Sequence, residues 1–169
     1  LSCSNGNRRT FTLSGWYKLG CEPDQRFWYH GSSGGTGWFG FVSENQDGTL
    51  ELKNKTTSFN MHLRTTKVFR DFSAWYHLVV AIDTTQATES DRVKIYVNGK
   101  QLTSFITSTY PTQNLELSHN MSDKTFSLGA MAGWGGYYYE GYNADYIQID
   151  GLQLSPAAFG SFDSSGSGA

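Results

Sequence analysis

Short stretches of alternating apolar and polar residues, separated by turn signals, are the feature that most constrains this chain. Residues 11–17 and 93–97 alternate with a period of two, which is typical of strands with one buried face. The pair Asn98-Gly99 follows the second stretch and strongly predicts a two-residue hairpin. Residues 75–83 are apolar on both faces, which predicts a strand covered on both sides. Helical periodicity is nearly absent, so we expect an all-β chain.

The number and spacing of the predicted strands favour two packed antiparallel sheets. The chain offers roughly ten to thirteen short strands with turn signals about 8–12 residues apart, and a single open sheet of that size usually curls or splits. A β-sandwich is therefore the expected architecture. We predict one domain over residues 1–162 and a flexible tail or linker over the small, polar residues 163–169. Further strands are expected at 38–42, 49–52, 61–64, 101–106, 126–129, 137–142 and 145–150, with a short helical turn at 155–159.

Composition excludes two broad classes of function. Aromatic residues make up 15% of the chain, charged residues 17%, and the formal net charge is −2. With no basic excess, general binding to nucleic acid through phosphate contacts is disfavoured. No apolar run approaches the roughly 20 residues of a membrane-spanning helix, so membrane insertion is not expected.

The cysteines and the first residues of the chain say little about chemistry. Cys3 and Cys21 are the two cysteines. Two cysteines make no disulfide framework, and we expect both to be free thiols. The chain begins at Leu1 without a signal-like segment, which suggests a piece of a longer polypeptide.

Four segments of the chain form a recognisable combination: FTLSGWYK at 11–18, WYHLVVAID at 75–83, VKIYVNGK at 93–100 and YEGYNADYIQIDG at 139–151. In this order and spacing they resemble the laminin-G-like branch of the concanavalin A-like lectin/glucanase superfamily. The resemblance extends over nearly the whole chain. It implies an antiparallel two-sheet jelly-roll β-sandwich, in which the strand at 145–150 lies beside the first strand, and it implies further residues before Leu1.

Other segments resemble laminin-G-like domains of tailed-phage virion proteins. They are VFRD at 68–71, the run from 83 to 99, and the stretch from 151 to 163. This resemblance implies an extracellular-facing location on the virion, exposed on the particle or on a tail fibre. Other virion subunits are the implied partners, together with a host cell-surface polysaccharide.

Candidate catalytic groups are sparse. The superfamily includes glycoside hydrolases, which need two carboxylates close together, and alternate carboxylates on one strand share a face. Glu140 and Asp145 are five residues apart, so on one continuous strand they would face opposite sides. His77 lies within the most apolar strand, which favours a hydrogen-bonded core histidine. We therefore expect no enzyme, although a glycoside hydrolase stays as a further alternative.

Two aromatic clusters beside glycines are the candidate ligand-binding residues. Sugars dock by stacking on exposed rings, with polar groups fixing their orientation. Consecutive tyrosines at 137–139 cannot all point inward on a strand, so we expect at least one to face outward. The alternatives are that these rings fill the sandwich or pack on a neighbouring subunit. The candidate ligand-binding residues are Trp28, Trp38, Trp134, Tyr137 and Tyr138.

The family resemblance also implies one structural calcium ion. Asp145 matches the acidic position of the family's last strand, and Asp83 begins a polar loop that ends near Asp91. Calcium takes six to eight oxygen ligands, which such loops supply in part. The alternative is that Asp145 caps a turn.

These features favour a non-catalytic laminin-G-like module of a phage structural protein. Its expected role is adhesion to host-surface glycans or decoration of the particle. A purely architectural domain that holds virion subunits together is the alternative.

Overall fold

The computed structural model describes residues 5–20, 25–31, 37–44, 47–131 and 138–161. Within these ranges the chain forms two antiparallel sheets, which confirms the predicted all-β sandwich. A four-residue helix, α1 (Glu89–Arg92), precedes β7, and a 3-10 turn covers Pro156–Ala158. The strands are β1 (Thr10–Leu19), β2 (Gln25–Gly31), β3 (Trp38–Ser43), β4 (Thr49–Lys55), β5 (Phe59–Val68), β6 (Tyr76–Asp83), β7 (Val93–Val97), β8 (Lys100–Gln101), β9 (Phe105–Thr109), β10 (Thr125–Leu128) and β11 (Gly141–Asp150).

The strand order brings distant parts of the chain together. The five-stranded sheet has the order β11-β1-β6-β7-β8, and the six-stranded sheet has the order β10-β2-β3-β4-β5-β9. The last strand lies antiparallel beside the first, with Phe11 opposite Asp150. This pairing is the one that the family resemblance implied, and it holds the two ends of the domain side by side.

The hairpin predicted at Asn98-Gly99 joins β7 to β8. Asn98 has φ 48° and Gly99 has φ 76°, the positive values that a type I′ turn requires at both central residues. The Asn98 side chain also accepts a hydrogen bond from the backbone N–H of His77 at 2.8 Å. The turn is therefore fixed both by its own conformation and by the neighbouring strand β6.

The core lies between the inner faces of the two sheets. Phe11 and Leu13 of β1 and Leu78, Val80 and Ile82 of β6 contribute from the five-stranded sheet, each at most 1% exposed. Alternate residues of these strands point inward, as the period-two pattern predicts. The six-stranded sheet contributes Phe27, Trp28, Phe39, Phe41, Leu50, Leu52, Met61 and Leu63.

The structure also contains a strand that was not expected. Residues 25–31 form β2, the second strand from the β10 edge of the six-stranded sheet, where an aromatic cluster beside a loop was expected. A register shift between Arg26 and Trp28 in the β2–β3 ladder interrupts the alternation, which is why the period-two signal is weak there. The segment predicted as a strand at 137–142 instead contains an isolated bridge from Tyr138 to Ala130, followed by β11.

Several predicted features lie outside the described residues. They are the thiols of Cys3 and Cys21, the rings of Trp134 and Tyr137, and the tail at 163–169. In the part of the chain that is described, no helix is long and apolar enough to cross a membrane.

Candidate functional site

The outer face of the six-stranded sheet, turned away from the five-stranded sheet, carries aromatic and charged side chains together. Phe39 of β3 lies in the core, so alternation places its neighbour Trp38 on the outer face. Leu52 of β4 also lies in the core, so Glu51 and Lys53 point outward. Along β4 the leucines therefore face the core, and the charged residues between them lie on the outer face.

An aromatic row, formed by Tyr29, Trp38 and Phe59, crosses this outer face. The ring centroids of Tyr29 and Trp38 are 5.8 Å apart, and those of Trp38 and Phe59 are also 5.8 Å apart. Tyr29 is 1% exposed and Trp38 is 8% exposed, whereas Phe59 is 48% exposed. Phe59 is therefore the ring of the aromatic row that a ligand can reach.

Two glycines make room for the aromatic row. A Cβ atom at Gly31 would lie 2.7 Å from the Cβ of Trp38 and 2.6 Å from the hydroxyl of Tyr29. A Cβ atom at Gly40 would lie 3.3 Å from Cζ3 of Trp38. The absence of side chains at these two positions lets the tryptophan ring lie low over the sheet.

Beside the aromatic row lies a network of ion pairs centred on Lys53. Its ammonium pairs with Glu44 and lies 2.8 Å from Oε2 of Glu51. Glu51 also contacts Nε2 of His62 at 2.6 Å, and Glu44 contacts Arg26 at 3.3 Å. Glu51 and Lys53 are 2% and 6% exposed, so these charges are held in fixed positions rather than moving freely in solvent.

A second ion pair joins Arg64 to Asp47 at the same face. Nε of Arg64 donates to Oγ1 of Thr49 at 3.1 Å, and that hydroxyl donates to Oδ1 of Asp47 at 2.6 Å. The Thr49 hydrogen bonds and the Arg64 guanidinium lower the pKa of Asp47, against a smaller opposing effect of desolvation. Asp47 is thereby kept ionised and pointed at Arg64.

Phe59 is flanked by cations. It lies opposite Lys55 across the β4–β5 ladder, and the Lys55 ammonium is 5.6 Å from its ring centroid. The Lys53 ammonium is 5.8 Å from the same centroid, and the His62 ring is 5.8 Å away. Both ammonium distances fall within the range of a cation–π contact.

Trp28 is not part of any exposed surface, which corrects the sequence expectation. Its side chain is 0% exposed and lies in the core, with its ring 5.2 Å from Phe41 and 5.7 Å from Tyr17. The bulge in β2 allows both Phe27 and Trp28 to point inward. Trp28 therefore fills the sandwich and cannot stack on a ligand.

The other predicted ligand-binding residues have different fates. Trp38 does lie on the outer face but is nearly covered, so it acts as support for Phe59 rather than as an open platform. Tyr138 is 61% exposed, which confirms that at least one of the consecutive tyrosines faces outward. Its isolated bridge to Ala130 places it beside β10, at the opposite edge of the sheet from β5. Trp134 and Tyr137 lie outside the described residues.

Phe59 was missed by the sequence analysis. The available signal was the alternation of Leu50 and Leu52 with Glu51, Lys53 and Lys55, which marks a strand with one charged outer face. That pattern indicates which face of the strand carries the charged side chains. It does not indicate which nearby ring is exposed, because that depends on the register with β5.

The predicted calcium ligands do not lie together. Asp83 is opposite Thr10 at one end of β1, whereas Asp145 lies on β11 between the positions opposite Ser14 and Trp16. About five residues of β1 separate them, which is roughly 16 Å along a strand. One calcium ion takes ligands at about 2.3–2.6 Å and cannot contact both. Among the described residues there is also no group of three His, Cys, Asp or Glu side chains that could hold a metal.

Asp83 instead fixes a turn. Its Oδ1 accepts hydrogen bonds from the N–H of Thr85 at 3.0 Å and from Oγ1 of Thr10 at 3.2 Å, and its Oδ2 accepts from Gln86 at 2.6 Å. Partial burial acts to raise the pKa of Asp83, but these hydrogen bonds outweigh it and lower the pKa. The residues present do not fit a calcium site shared by Asp83 and Asp145, and calcium binding stays a prediction.

The two carboxylates that meet on the outer face are poorly arranged for catalysis. Glu44 and Glu51 both pair with the ammonium of Lys53. Glycoside hydrolysis requires one of two carboxyl groups to hold a proton for the leaving group. Glu51 is moreover buried beneath the surface.

A polar concavity of about 470 Å³ lies elsewhere, at the rim where β1 begins. Arg8 and Arg9 both pair there with the carboxylate of Glu116, each at 3.1 Å. Asn5 and Asn7 also line it. The described residues that line this concavity include no aromatic ring, so they offer hydrogen bonds but no stacking surface.

The two antiparallel sheets define a jelly-roll β-sandwich. A family model described as the concanavalin A-like lectin/glucanases superfamily, laminin G type 3, matches residues 1–159, and the chain belongs to this family. The match confirms the family resemblance found in the sequence. No curated protein matches the chain by sequence.

Solved structures with this fold include three from different sources. Domain 4 of AbnA, a GH43 extracellular arabinanase from Geobacillus stearothermophilus in complex with arabinotriose, has a TM-score of 0.64 and 20% identity over 91% of this chain and 65% of that chain. The CBM40 of the Ruminococcus gnavus IT-sialidase bound to α2,3-sialyllactose has a TM-score of 0.62 and 16% identity over 94% and 92% of the two chains. Domains LG4-5 of the mouse laminin α1 chain have a TM-score of 0.55 and 11% identity over 89% and 38%. At these identities the likeness shows the fold.

Proposed function

We propose that this domain is a non-catalytic glycan-binding module whose ligand docks on the outer face of the six-stranded sheet at Phe59. The observation that carries the proposal is a half-exposed ring, supported by Trp38 and surrounded by polar groups in fixed positions. A sugar ring stacks its C–H face on such a ring, while the fixed polar groups orient its substituents. Preorganised groups lose little conformational entropy on binding.

Similar domains support the proposal. Two of the structures that share this fold were determined with arabinotriose and with sialyllactose. The same fold hosts many functions, so the proposal rests on the residues of the outer face and not on the fold. The ion pairs of Lys53 with Glu44 and Glu51 favour binding over hydrolysis.

Replacing Phe59 with alanine tests the location of the binding site. An array of neutral and acidic oligosaccharides first finds a ligand for the 169-residue chain, and calorimetry then measures its affinity. We expect Phe59→Ala to weaken binding at least tenfold, about 1.4 kcal/mol, because the stacking surface is lost. Phe72→Ala is the matched control, since it removes a 39% exposed phenylalanine from the loop before β6. If the wild-type chain binds no oligosaccharide, the proposed function is wrong.

Tyr138 provides the competing location. The sequence analysis named it as a ligand-binding residue, and it is well exposed. If Tyr138→Ala abolishes binding while Phe59→Ala leaves it intact, the ligand docks beside β10 and the proposed location is wrong. Circular dichroism spectra matching the wild type establish that both variants are folded.

We further propose that the parent protein is a structural protein of a tailed-phage virion and that the domain binds a host cell-surface polysaccharide. The support is the sequence resemblance at 68–71, 83–99 and 151–163. Immunogold labelling of purified particles locates the domain, and adhesion requires a position at a fibre tip or another exposed surface. The purified chain is also expected to compete with phage adsorption, and its Phe59→Ala variant is not.

The architectural alternative has one observation in its favour. Tyr142, Ile147 and Leu152 are 66%, 39% and 55% exposed, and the first two lie on the edge strand β11. Exposed apolar side chains of this kind can pack on a neighbouring subunit. Labelling at an internal collar or capsid position, without competition for adsorption, would favour this alternative.

A further inference from the structure

Among the described residues, the outer face of the six-stranded sheet carries one lysine or arginine more than it has carboxylates. Arg26, Lys53 and Arg64 each pair with a carboxylate, those of Glu44, Glu51 and Asp47. Lys55 is the exception: within the described ranges its ammonium makes no hydrogen bond or ion pair, and its contact is with the ring of Phe59 at 5.6 Å. Counting the lysine, arginine and carboxylate side chains of the described residues, the face therefore keeps one uncompensated positive charge.

That charge lies beside the exposed ring. Lys55 and Phe59 are cross-strand neighbours in the β4–β5 ladder. A sugar ring stacked on Phe59 has its substituents within a few ångströms of the ring edge, which the long lysine side chain can reach. The position of the uncompensated charge thus coincides with the proposed stacking surface.

We propose that Lys55 makes this site selective for a sugar that carries a carboxylate, either a uronic acid or a sialic acid. The inference rests on the proposed function and names the class of ligand for the same site. Lysine presents a compact charge with three donors, which suits a single anionic group. Glu44, Glu51 and Asp47 lie on the same face and oppose a dense polyanion, so a nucleic acid or a heavily sulfated chain is a poor fit.

Matched acidic and neutral probes test this inference. The uronic acid arm compares polygalacturonate with its fully methyl-esterified form, and the sialic acid arm compares sialyllactose with lactose. We expect the wild-type chain to bind the acidic member of at least one pair about tenfold more tightly, and sodium chloride to weaken that binding.

Three lysine variants test whether Lys55 causes the preference for an acidic sugar. Lys55→Gln is expected to remove the preference for the acidic probe over its neutral counterpart, whereas Lys55→Arg retains the preference. Lys67→Gln is the matched control, because Lys67 also lies over a phenylalanine ring, at 5.8 Å from Phe69, but that ring is 1% exposed. It is expected to bind like the wild type.

The outcomes separate this inference from the proposed function. Equal binding of acidic and neutral probes by the wild type overturns the role of Lys55 while the glycan-binding function stands. A preference that survives in Lys55→Gln, or that is lost equally in Lys67→Gln, also overturns it. Absence of binding to every oligosaccharide refutes the proposed function instead. All the variants are on exposed or partly exposed lysines, and circular dichroism checks that each is folded.

Discussion

A single irregularity in β2 decides which aromatic residues are buried. Strict alternation would put Phe27 and Tyr29 on one face and Trp28 on the other. The register shift between Arg26 and Trp28 lets Phe27 and Trp28 both enter the core, and Tyr29 then joins the aromatic row outside. One displaced residue therefore converts the expected sugar platform at Trp28 into part of the core.

The glycines under the aromatic row give a prediction at this scale. Gly31→Ala is expected to lower the free energy of unfolding by about 1–3 kcal/mol, because its Cβ would meet the backbone-anchored Cβ of Trp38. Gly40→Ala is expected to cost less, since the closest atom there is at the far side of the tryptophan ring. Urea denaturation measures both variants. Equal stability of both variants and the wild type would contradict this account of the aromatic row.

At the scale of elements, the segment after β11 acts as a strap across the outer face of the five-stranded sheet. Oγ1 of Thr12 donates to the carbonyl of Leu152 at 2.7 Å and accepts from the N–H of Leu154 at 2.8 Å. The Gln153 amide also donates to the carbonyl of Asp91 at 2.8 Å. The strap explains why β6 is apolar on both faces. The inner face of β6 packs against the six-stranded sheet, and the strap covers its outer face.

Thr12→Val tests how firmly the strap is held. Valine keeps the shape of threonine but makes neither hydrogen bond, and it leaves the N–H of Leu154 without its partner. We expect a loss of about 1–3 kcal/mol in the free energy of unfolding and faster hydrogen exchange at Leu154. Thr103→Val, on an exposed loop, is expected to change stability by less than about 0.5 kcal/mol. Unchanged exchange at Leu154 in Thr12→Val would show that Thr12 does not hold the strap.

At the scale of the whole molecule, neutral histidines are built into the sandwich. His119 is buried between the sheets, with its ring 4.3 Å from Phe11 and 5.2 Å from Phe39. Burial, followed by the nearby His30, lowers the pKa of His119 to about 3. Burial also lowers the pKa values of His30 and His77. Ser14 shares a hydrogen bond of 2.9 Å with His77, which confirms the expected core histidine.

These histidines predict that acid destabilises the fold. Below pH 6.5, the ordinary pKa of histidine, these histidines bind protons in the unfolded chain but not in the folded chain. The free energy of unfolding therefore falls as the pH falls. For His119 the loss approaches about 1.4 kcal/mol per pH unit and continues toward its folded pKa. Unfolding free energies between pH 7.5 and pH 5 measure the slope. His119→Asn removes one group that takes up a proton on unfolding. It is expected to reduce the slope by up to about 1.4 kcal/mol per pH unit, whatever its effect on the free energy of unfolding at pH 7.5.

An unchanged slope in His119→Asn would mean that His119 does not couple stability to pH. Comparison of slopes is the useful measurement, because the substitution also alters packing in the core. The binding predictions for Phe59 and Lys55 are independent of this effect when they are measured near pH 7.5, where His30, His77 and His119 are largely neutral in both the folded and the unfolded chain.

The candidate site could be located from the sequence in part. Alternation along β4 identifies a strand with one charged face, and Trp38, which was predicted to bind a ligand, lies on the same side of the sheet but is nearly covered. The exposed ring of Phe59 and the pairing of Arg64 with Asp47 could not be derived, because both depend on the register between β4 and β5. The distance between Asp83 and Asp145 could not be derived either, because it follows from the positions that the two residues take along β1.

The local sequence pattern is sufficient to predict the fold class of this protein. Period-two alternation, the hairpin at Asn98-Gly99 and the apolar strand β6 specify an antiparallel sandwich, because these signals act over a few neighbouring residues. Contacts between residues distant in the chain decide three further features. They determine which rings are buried, which charges are paired and which sheet face the strap covers. Those contacts depend on a bulge and on strand register, and a shift of one residue reverses the face of every side chain in a strand.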